Sequence, residues 1–104
     1  MSGNDNTSET VRIVSGTTTL TNNDFDLFVK GATGAVVVNV PAIATVQPGR
    51  PFSVQKDAAA QTVTITANGA ETINGATTNV LASGAFHGVI FYSTGTEWVC
   101  KEVY

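Results

Sequence analysis

The stretch Thr62-Val-Thr-Ile-Thr-Ala-Asn-Gly-Ala-Glu-Thr-Ile-Asn-Gly-Ala-Thr-Thr-Asn79 gives the most direct indication of the fold. Two Asn-Gly steps, Asn68-Gly69 and Asn74-Gly75, follow a run in which Val63 and Ile65 alternate with threonines. Asn-Gly favours the type I′ turn of a β-hairpin, because both central residues of that turn need positive φ. The alternation predicts a strand with one buried face and one face of hydroxyls. The short segment between the two steps predicts a sharp reversal at the domain edge.

Short apolar runs recur through the rest of the chain, separated by Gly, Pro, Asn and Ser. Their spacing of about eight to twelve residues is typical of an all-β sandwich or barrel. We predict one small antiparallel β-sandwich or barrel-like domain of about eight to nine short strands over residues 10–104. Residues 1–9 are polar and without periodicity, which predicts a flexible N-terminal arm. The predicted strands cover 10–14, 25–30, 35–41, 50–56, 62–66, 77–81, 85–93 and 97–104; 17–21 extends the first strand or forms another, and 25–30 could also form a short helix.

The composition indicates a domain that packs against copies of itself. Hydrophobic residues make up 42% of the 104 residues and charged residues only 12%, against about 25% charged in ordinary soluble domains. The net charge of −3 and the scattered Lys and Arg residues argue against nucleic-acid binding. No apolar run is long enough for a membrane span, and the N-terminus does not resemble a signal peptide. These features favour a cytosol-type compartment, and a single cysteine excludes an internal disulfide framework.

The residue types that carry catalysis do not occur in a recognisable constellation. His87 is the lone histidine, and no Gly-x-Ser-x-Gly elbow accompanies it. Cys100 lies in a predicted terminal strand, where a buried, inert thiol is expected. Asp24 and Asp26 would share one face of a strand, which leaves a cation site open beside the simpler interpretation as turn residues. We therefore predict no enzyme activity, no metal and no cofactor.

The aromatic residues divide into core candidates, among them Phe25, Phe28 and Phe86, and contact candidates. Phe52, Phe91 and Trp98 lie on alternating patterns that point inward. Tyr92 and Tyr104 are better candidates for a subunit or partner contact, because a phenol tolerates a half-hydrated position. An exposed aromatic pair could also bind a sugar.

From Val36 onward the order of features resembles a small β-domain that recurs in bacteriophage virion proteins, namely tail fibres, tail spikes, head fibres and head decoration proteins. The strand run Val36-Val-Val-Asn-Val-Pro-Ala42 precedes Pro48-Gly-Arg-Pro-Phe-Ser-Val-Gln-Lys56 and Thr62-Val-Thr-Ile-Thr66. The corner Gly69-Ala-Glu-Thr-Ile-Asn-Gly75 and the closing hairpin Ser93-Thr-Gly-Thr-Glu-Trp98 follow. Val40 stands where such domains commonly have Leu, and Asn74 where they commonly have Asp.

The resemblance implies a structural, non-enzymatic virion protein that assembles as a homotrimer. Because the chain begins at Met1 and is almost entirely one such domain, we expect a decoration or cement protein rather than the tip of a long fibre. Its expected partners are its own copies and the major capsid protein, without nucleic acid or membrane. The expected location is the capsid surface after synthesis in the host cytoplasm. The alternative is a receptor- or glycan-binding module of a tail fibre or head fibre.

Overall fold

The computed structural model describes residues 11–59, 61–81 and 84–103, with side chains as far as residue 101. The predicted arm over residues 1–9 lies outside the described residues. The strands are β1 (Val11–Val14), β2 (Thr18–Thr19), β3 (Asp26–Val29), β4 (Val36–Asn39), β5 (Phe52–Lys56), β6 (Val63–Thr66), β7 (Thr78–Leu81), β8 (His87–Ser93) and β9 (Trp98–Val103), and a 3-10 helix covers Ile43–Thr45. The all-β prediction is confirmed, and residues 26–29 form a strand rather than a helix.

The strands form two sheets that enclose a common core. One has five strands in the order β1-β3-β5-β8-β9, and the other has four in the order β2-β4-β6-β7. In each sheet the first three strands run parallel, and the later strands join antiparallel. The sandwich-like prediction is therefore confirmed, whereas the prediction of a purely antiparallel domain is wrong.

The parallel pairs arise because the chain crosses to the opposite sheet after each strand from β1 to β5. Three successive turns of a flattened coil result, made by β1 with β2, β3 with β4 and β5 with β6; each turn has one strand in each sheet and stacks on the turn before it. Parallel neighbours need a crossover connection, and here a strand of the opposite sheet supplies it. Alternation along a strand shows which side is buried but not which strand lies beside it. The sequence pattern therefore fits both kinds of pairing.

The core lies between the sheets and has an aromatic centre. Phe52, Phe91 and Trp98 are fully buried, and their ring centroids lie 5.5, 5.7 and 5.9 Å apart. Trp98 meets both phenylalanines edge to face, a geometry that adds about 0.5–1.5 kcal/mol per pair beyond burial. The inward orientation predicted for these three residues is confirmed.

The loop between β6 and β7 contains both Asn-Gly steps, and only one forms the predicted turn. Asn74 and Gly75 both have positive φ, 51° and 83°, and Ile73 and Ala76 exchange hydrogen bonds of 2.6 and 3.0 Å around them. This is the expected two-residue turn. At the first step only Gly69 has positive φ. It is the first central residue of a turn that is closed by a hydrogen bond from the Glu71 N–H to the Asn68 carbonyl. The prediction of a type I′ turn at Asn68-Gly69 is therefore wrong.

The reversal at Asn74-Gly75 joins the two sheets. The Asn74 N–H donates to the Trp98 carbonyl at 2.9 Å, and the Trp98 N–H donates to the Thr72 carbonyl at 2.8 Å. The Asn74 side chain accepts the Cys100 N–H at 2.9 Å. The Glu71 carboxylate accepts the N–H of Ile43, at 3.2 Å to each oxygen, and so satisfies a donor that the start of the 3-10 helix leaves unpaired.

A second polar cluster closes one end of the sandwich. Lys56 is buried at the end of β5, and its ammonium donates to the carbonyls of Asp57, Ala59 and Ala85 at 2.6, 3.1 and 3.1 Å. The Asp57 carboxylate accepts the N–H groups of Gly31 at 2.9 Å and Ala59 at 3.1 Å. The described residues of 57–61 form neither strand nor helix, and this cluster holds the segment in place.

Candidate functional site

The outward side of the five-stranded sheet, called the outer face below, is the candidate site. Along β3 the buried Leu27 and Val29 alternate with Asp26 and Phe28, which point outward. The same period of two continues across the neighbouring strands through their register. The outer face therefore carries the side chains Val11, Ile13, Asp26, Phe28, Ser53, Gln55, Ile90 and Tyr92.

Large apolar side chains on and beside the outer face are open to water. Val11 is 48% exposed and Ile13 is 61% exposed, both on the edge strand β1. Phe86, just before β8, is 64% exposed. An open groove of about 670 Å³ crosses the face; it is lined by Val11, Phe25, Asp26, Leu27, Phe28, Pro51, Phe52, Ser53, Gln55, Phe86, Ile90 and Lys101. Clustered exposed apolar side chains are the usual mark of an interaction surface.

An arginine stacked between two rings supports one side of the groove. The Arg50 guanidinium carbon lies 4.8 Å from the Phe25 ring centroid and 4.2 Å from the Phe52 ring centroid. The same guanidinium donates to the Asp24 carbonyl. Cation–π contacts of this kind contribute about 0.5–2 kcal/mol. They hold Phe25 in place beside the face, so this part of the groove is preformed.

The outward side of the four-stranded sheet has a different chemistry. Thr64 and Thr66 point outward from β6 between buried Val63 and Ile65, which confirms the predicted face of hydroxyls. Thr78 is exposed on the adjoining strand β7. Val80, at 57% exposure, and the half-buried Val37 of β4 share this side. The outer face and its margin thus hold three of the four exposed large apolar side chains in the described part of the chain, and the other surface is mainly hydroxyl.

The predicted contact residue Tyr92 lies on the outer face, and Tyr104 lies outside the described residues. Tyr92 is half-buried between Phe91 and Ser93, whose side chains are buried. Its register partner on β9 is Val99, which is also half-buried. Tyr92 therefore extends the outer face beyond the groove.

The two aspartates considered as a cation site do not act together. Asp24 is buried and forms a two-pronged ion pair with Arg12, at 2.9 and 3.0 Å. It also accepts the Thr21 N–H at 2.8 Å. Asp26 is exposed at the start of β3. Across the described ranges no cluster of three or more His, Cys, Asp or Glu side chains could hold a metal ion.

His87 and Cys100 lie on different strands and in different surroundings. His87 is the first residue of β8 and is half-buried opposite Lys56. Cys100 is half-buried in β9, within 3.5 Å of the Asn79 amide nitrogen. Burial raises the pKa of the Cys100 thiol, which lowers its thiolate fraction and hence its reactivity at neutral pH.

No protein-family model matches the chain, and the search of curated proteins found no relative. In the described part of the chain, no helix is long and apolar enough to cross a membrane.

Sequence reasoning missed most of the outer face. Val11 and Ile13 carry no predicted role, and the core prediction for Phe86 is wrong, because the fold leaves all three apolar side chains exposed. Val11-Arg-Ile-Val14 gives no local signal of this exposure, because Val11 and Ile13 share one side of the strand and Arg12 lies on the other. Such alternation predicts that the apolar side is buried.

Proposed function

We propose that this chain is a structural virion protein, a capsid decoration or cement protein that binds the phage head surface as a homotrimer and stabilises the shell. The observation that carries the proposal is the apolar outer face with exposed Val11, Ile13 and Phe86. A domain of this size leaves much of its surface in water, and subunit contacts would remove such a face from solvent. The proposed location on a phage head rests on the sequence resemblance to phage virion domains.

The difference between the two sheets supports different contacts for each: subunit contact for the outer face and shell contact for the hydroxyl surface. An apolar surface is suited to permanent contact between identical subunits. The hydroxyl surface of Thr64, Thr66 and Thr78 is suited to the polar, hydrated contact that a protein makes with a preformed shell. Three copies of a weak contact on one trimer would raise the affinity for the major capsid protein through effective concentration.

A receptor- or glycan-binding module of a tail fibre or head fibre is the second candidate. The groove supports it, because Phe28 and Phe86 stand beside the polar side chains of Asp26, Ser53 and Gln55. Aromatic faces with a few hydrogen-bonding groups are typical of sites for small polar ligands.

Cosedimentation with purified capsids of the encoding virus tests the leading proposal. We expect the chain to pellet with the capsids at a saturating ratio and to raise the temperature at which they open. Localisation on an intact particle by electron microscopy should place it on the head. A chain that stays in the supernatant but binds a glycan array would contradict the decoration role and support the second candidate.

A further inference from the structure

The edge strand β1 has an open side, because among the described strands it pairs only with β3. The Lys30 N–H donates to the Val14 carbonyl at 2.9 Å. In a strand, the N–H and C=O of one residue point to the same side, and successive residues alternate. The backbone groups of Val14 and Arg12 therefore bond to β3. Those of Val11 and Ile13 point to the open edge.

The other three sheet edges are less suited to adding a strand. β9 has a register irregularity and the exposed Lys101, and bulges and lysines commonly protect an edge. β2 has only two residues, and the Thr19 carbonyl already accepts the Arg12 side chain at 3.0 Å. β7 presents a single large exposed apolar side chain, Val80. β1 pairs without irregularity, contains no proline and carries two such side chains.

An open backbone edge binds an extended strand, and β1 is complementary to itself. A second β1, antiparallel about a two-fold axis at Arg12, places Val11 opposite Ile13 of the other copy, and Ile13 opposite Val11. The open-edge N–H and C=O groups of both strands then bond to each other. The exposed Val11 and Ile13 side chains form cross-strand apolar pairs, which stabilise adjacent strands. Arg12 meets its own copy, but each guanidinium keeps its ion pair with Asp24, so two neutral groups meet.

The geometry of the strand selects this axis among the alternatives. Directly opposite residues of an antiparallel pair lie on the same side of the sheet, so the two-fold centre must fall on a residue. A centre on Ile13 places Val11 opposite Ser15, beyond the end of β1. An axis parallel to the strands would turn the two outer faces to opposite sides. An axis perpendicular to the sheets keeps them on one side and also brings the two β2 strands together, because β1 and β2 lie at the same end of their sheets.

We infer that the β1 edge binds β1 of a second copy, antiparallel about a two-fold axis at Arg12. The two five-stranded sheets then form one sheet of ten strands. This contact goes beyond the proposed function, because a two-fold contact cannot lie within a ring of three and would join chains of different trimers. A pairing of four-residue strands is small beside a standard interface. We therefore expect weak association in solution, strengthened wherever copies are concentrated on one surface.

Removing an edge donor tests the pairing, with the doubling of the species measured by sedimentation equilibrium up to about 1 mM. Val11→Pro deletes an N–H that points to the open edge, at the first residue of a strand, where proline is tolerated. It should weaken doubling about 20- to 100-fold, because two of the four expected hydrogen bonds disappear. Val11→Ala keeps the N–H and should weaken doubling only about two- to fivefold.

Val80→Pro is the matched control on the β7 edge. The Ala67 N–H donates to the Thr77 carbonyl, so the alternation along β7 turns the Val80 N–H away from β6. The substitution removes the same kind of donor from a different edge and should leave doubling unchanged. Circular dichroism checks that each variant is folded. Ile13→Pro, which removes the other two edge donors, takes the place of Val11→Pro if that variant does not fold.

Isotope-filtered NMR on an equimolar mixture of labelled and unlabelled chain tests the register. A centre at Arg12 makes that residue a non-hydrogen-bonded pair with its own copy, and such pairs have the closest Cα atoms. An interchain NOE between the two Arg12 Hα atoms is therefore expected. Its absence at a concentration where the species doubles would reject this pairing.

Two further results would overturn the inference. One is a species that does not double up to about 1 mM; the other is equal weakening by Val11→Pro and Val11→Ala, which would indicate contact through side chains alone. Capsid cosedimentation of the unaltered chain is read separately. Capsid binding without doubling would reject the β1 pairing alone, whereas doubling without capsid binding would reject the decoration role alone.

Discussion

Arg12 shows how one inward-facing polar side chain can organise the first turn of the coil. It lies on β1 between the exposed Val11 and Ile13, so its guanidinium points toward the buried Asp24. It also donates to the Thr18 hydroxyl at 3.2 Å and the Thr19 carbonyl at 3.0 Å. One side chain therefore links β1, β2 and the turn before β3. This explains how a strand of only two residues, β2, is held in place.

Replacing Arg12 with Met should destabilise the domain by about 1–3 kcal/mol, because the buried Asp24 carboxylate would lose its counter-ion. The guanidinium is 40% exposed, so water screens part of the interaction and the lower half of this range is expected. Lys30→Met is the matched control: it removes the same charge from an exposed position and should change stability by less than about 0.5 kcal/mol. Urea unfolding at one protein concentration measures both. Equal losses of stability in the two variants would show that the net charge of the chain, and not the Arg12–Asp24 ion pair, determines the effect.

Asp57 makes part of the stability depend on pH. Hydrogen bonds from the Gly31 and Ala59 N–H groups hold the pKa of this carboxyl below its ordinary value, and the nearby Lys56 lowers it further. A carboxyl with a lowered folded-state pKa stabilises the fold fully above its unfolded-state pKa, and this contribution disappears as the pH falls through the folded-state pKa. The affected window therefore lies below about pH 5.

Replacing Asp57 with Asn should remove this pH dependence. The variant should be less stable than the unaltered chain at pH 7, and the difference should shrink steadily toward pH 2 as the carboxyl is protonated. Urea unfolding across that range measures it. Asp26→Asn, at an exposed carboxylate without hydrogen bonds among the described residues, is the control under conditions where the chain is monomeric. A difference independent of pH would contradict the role of the ionised carboxylate.

Among the elements, the Asn74-Gly75 turn joins local chain chemistry to the assembly of the sheets. Both residues have positive φ, which suits Asn and Gly and strains other residues. The turn positions Ile73 in the core and the Asn74 side chain against the backbone of β9. A defect here should therefore affect both sheets and not only the β6–β7 connection.

Gly75→Ala should destabilise the domain by about 1–2 kcal/mol, because alanine would be held in the left-handed region. The site is open, with nothing within 4 Å of an added Cβ, so the penalty comes from the backbone alone. Gly34→Ala is the matched control, since Gly34 has equally open space and no positive φ; it should be neutral or slightly stabilising. Thermal unfolding compares them. Equal effects in the two variants would contradict the backbone argument.

At the level of the whole molecule, the two sheets differ in what their outward sides can bind. Ile13 and Val80 are matched exposed residues, at 61% and 57%, on the outward sides of opposite sheets. Burial between subunits stabilises an assembly by about 25 cal/mol for each Å² of apolar surface removed from water. The proposed assembly therefore depends on Ile13 and not on Val80.

Ile13→Asp should weaken self-association by at least about tenfold, because it places a charge in an apolar contact. Val80→Asp introduces the same charge on the other sheet and should leave association unchanged. Sedimentation equilibrium measures both, and unfolding in urea checks that each variant is folded. A loss of association in Val80→Asp but not in Ile13→Asp would move the interface to the four-stranded sheet.

The positions of most strands, the buried side of β6 and the aromatic core follow from local chemistry, and the sequence alone predicted them. Val63 and Ile65 alternate with threonines, and Asn74-Gly75 fits one kind of turn, so each signal is contained in a few adjacent residues. The parallel stacking of the coil, the Arg12–Asp24 pair and the outer face appear only in the tertiary structure. They depend on which strand lies beside which, and period-two alternation is the same for a parallel and an antiparallel neighbour. Val11, Asp26, Ser53 and Ile90 come onto one row only through four strands in register, a relation that no local stretch of sequence contains.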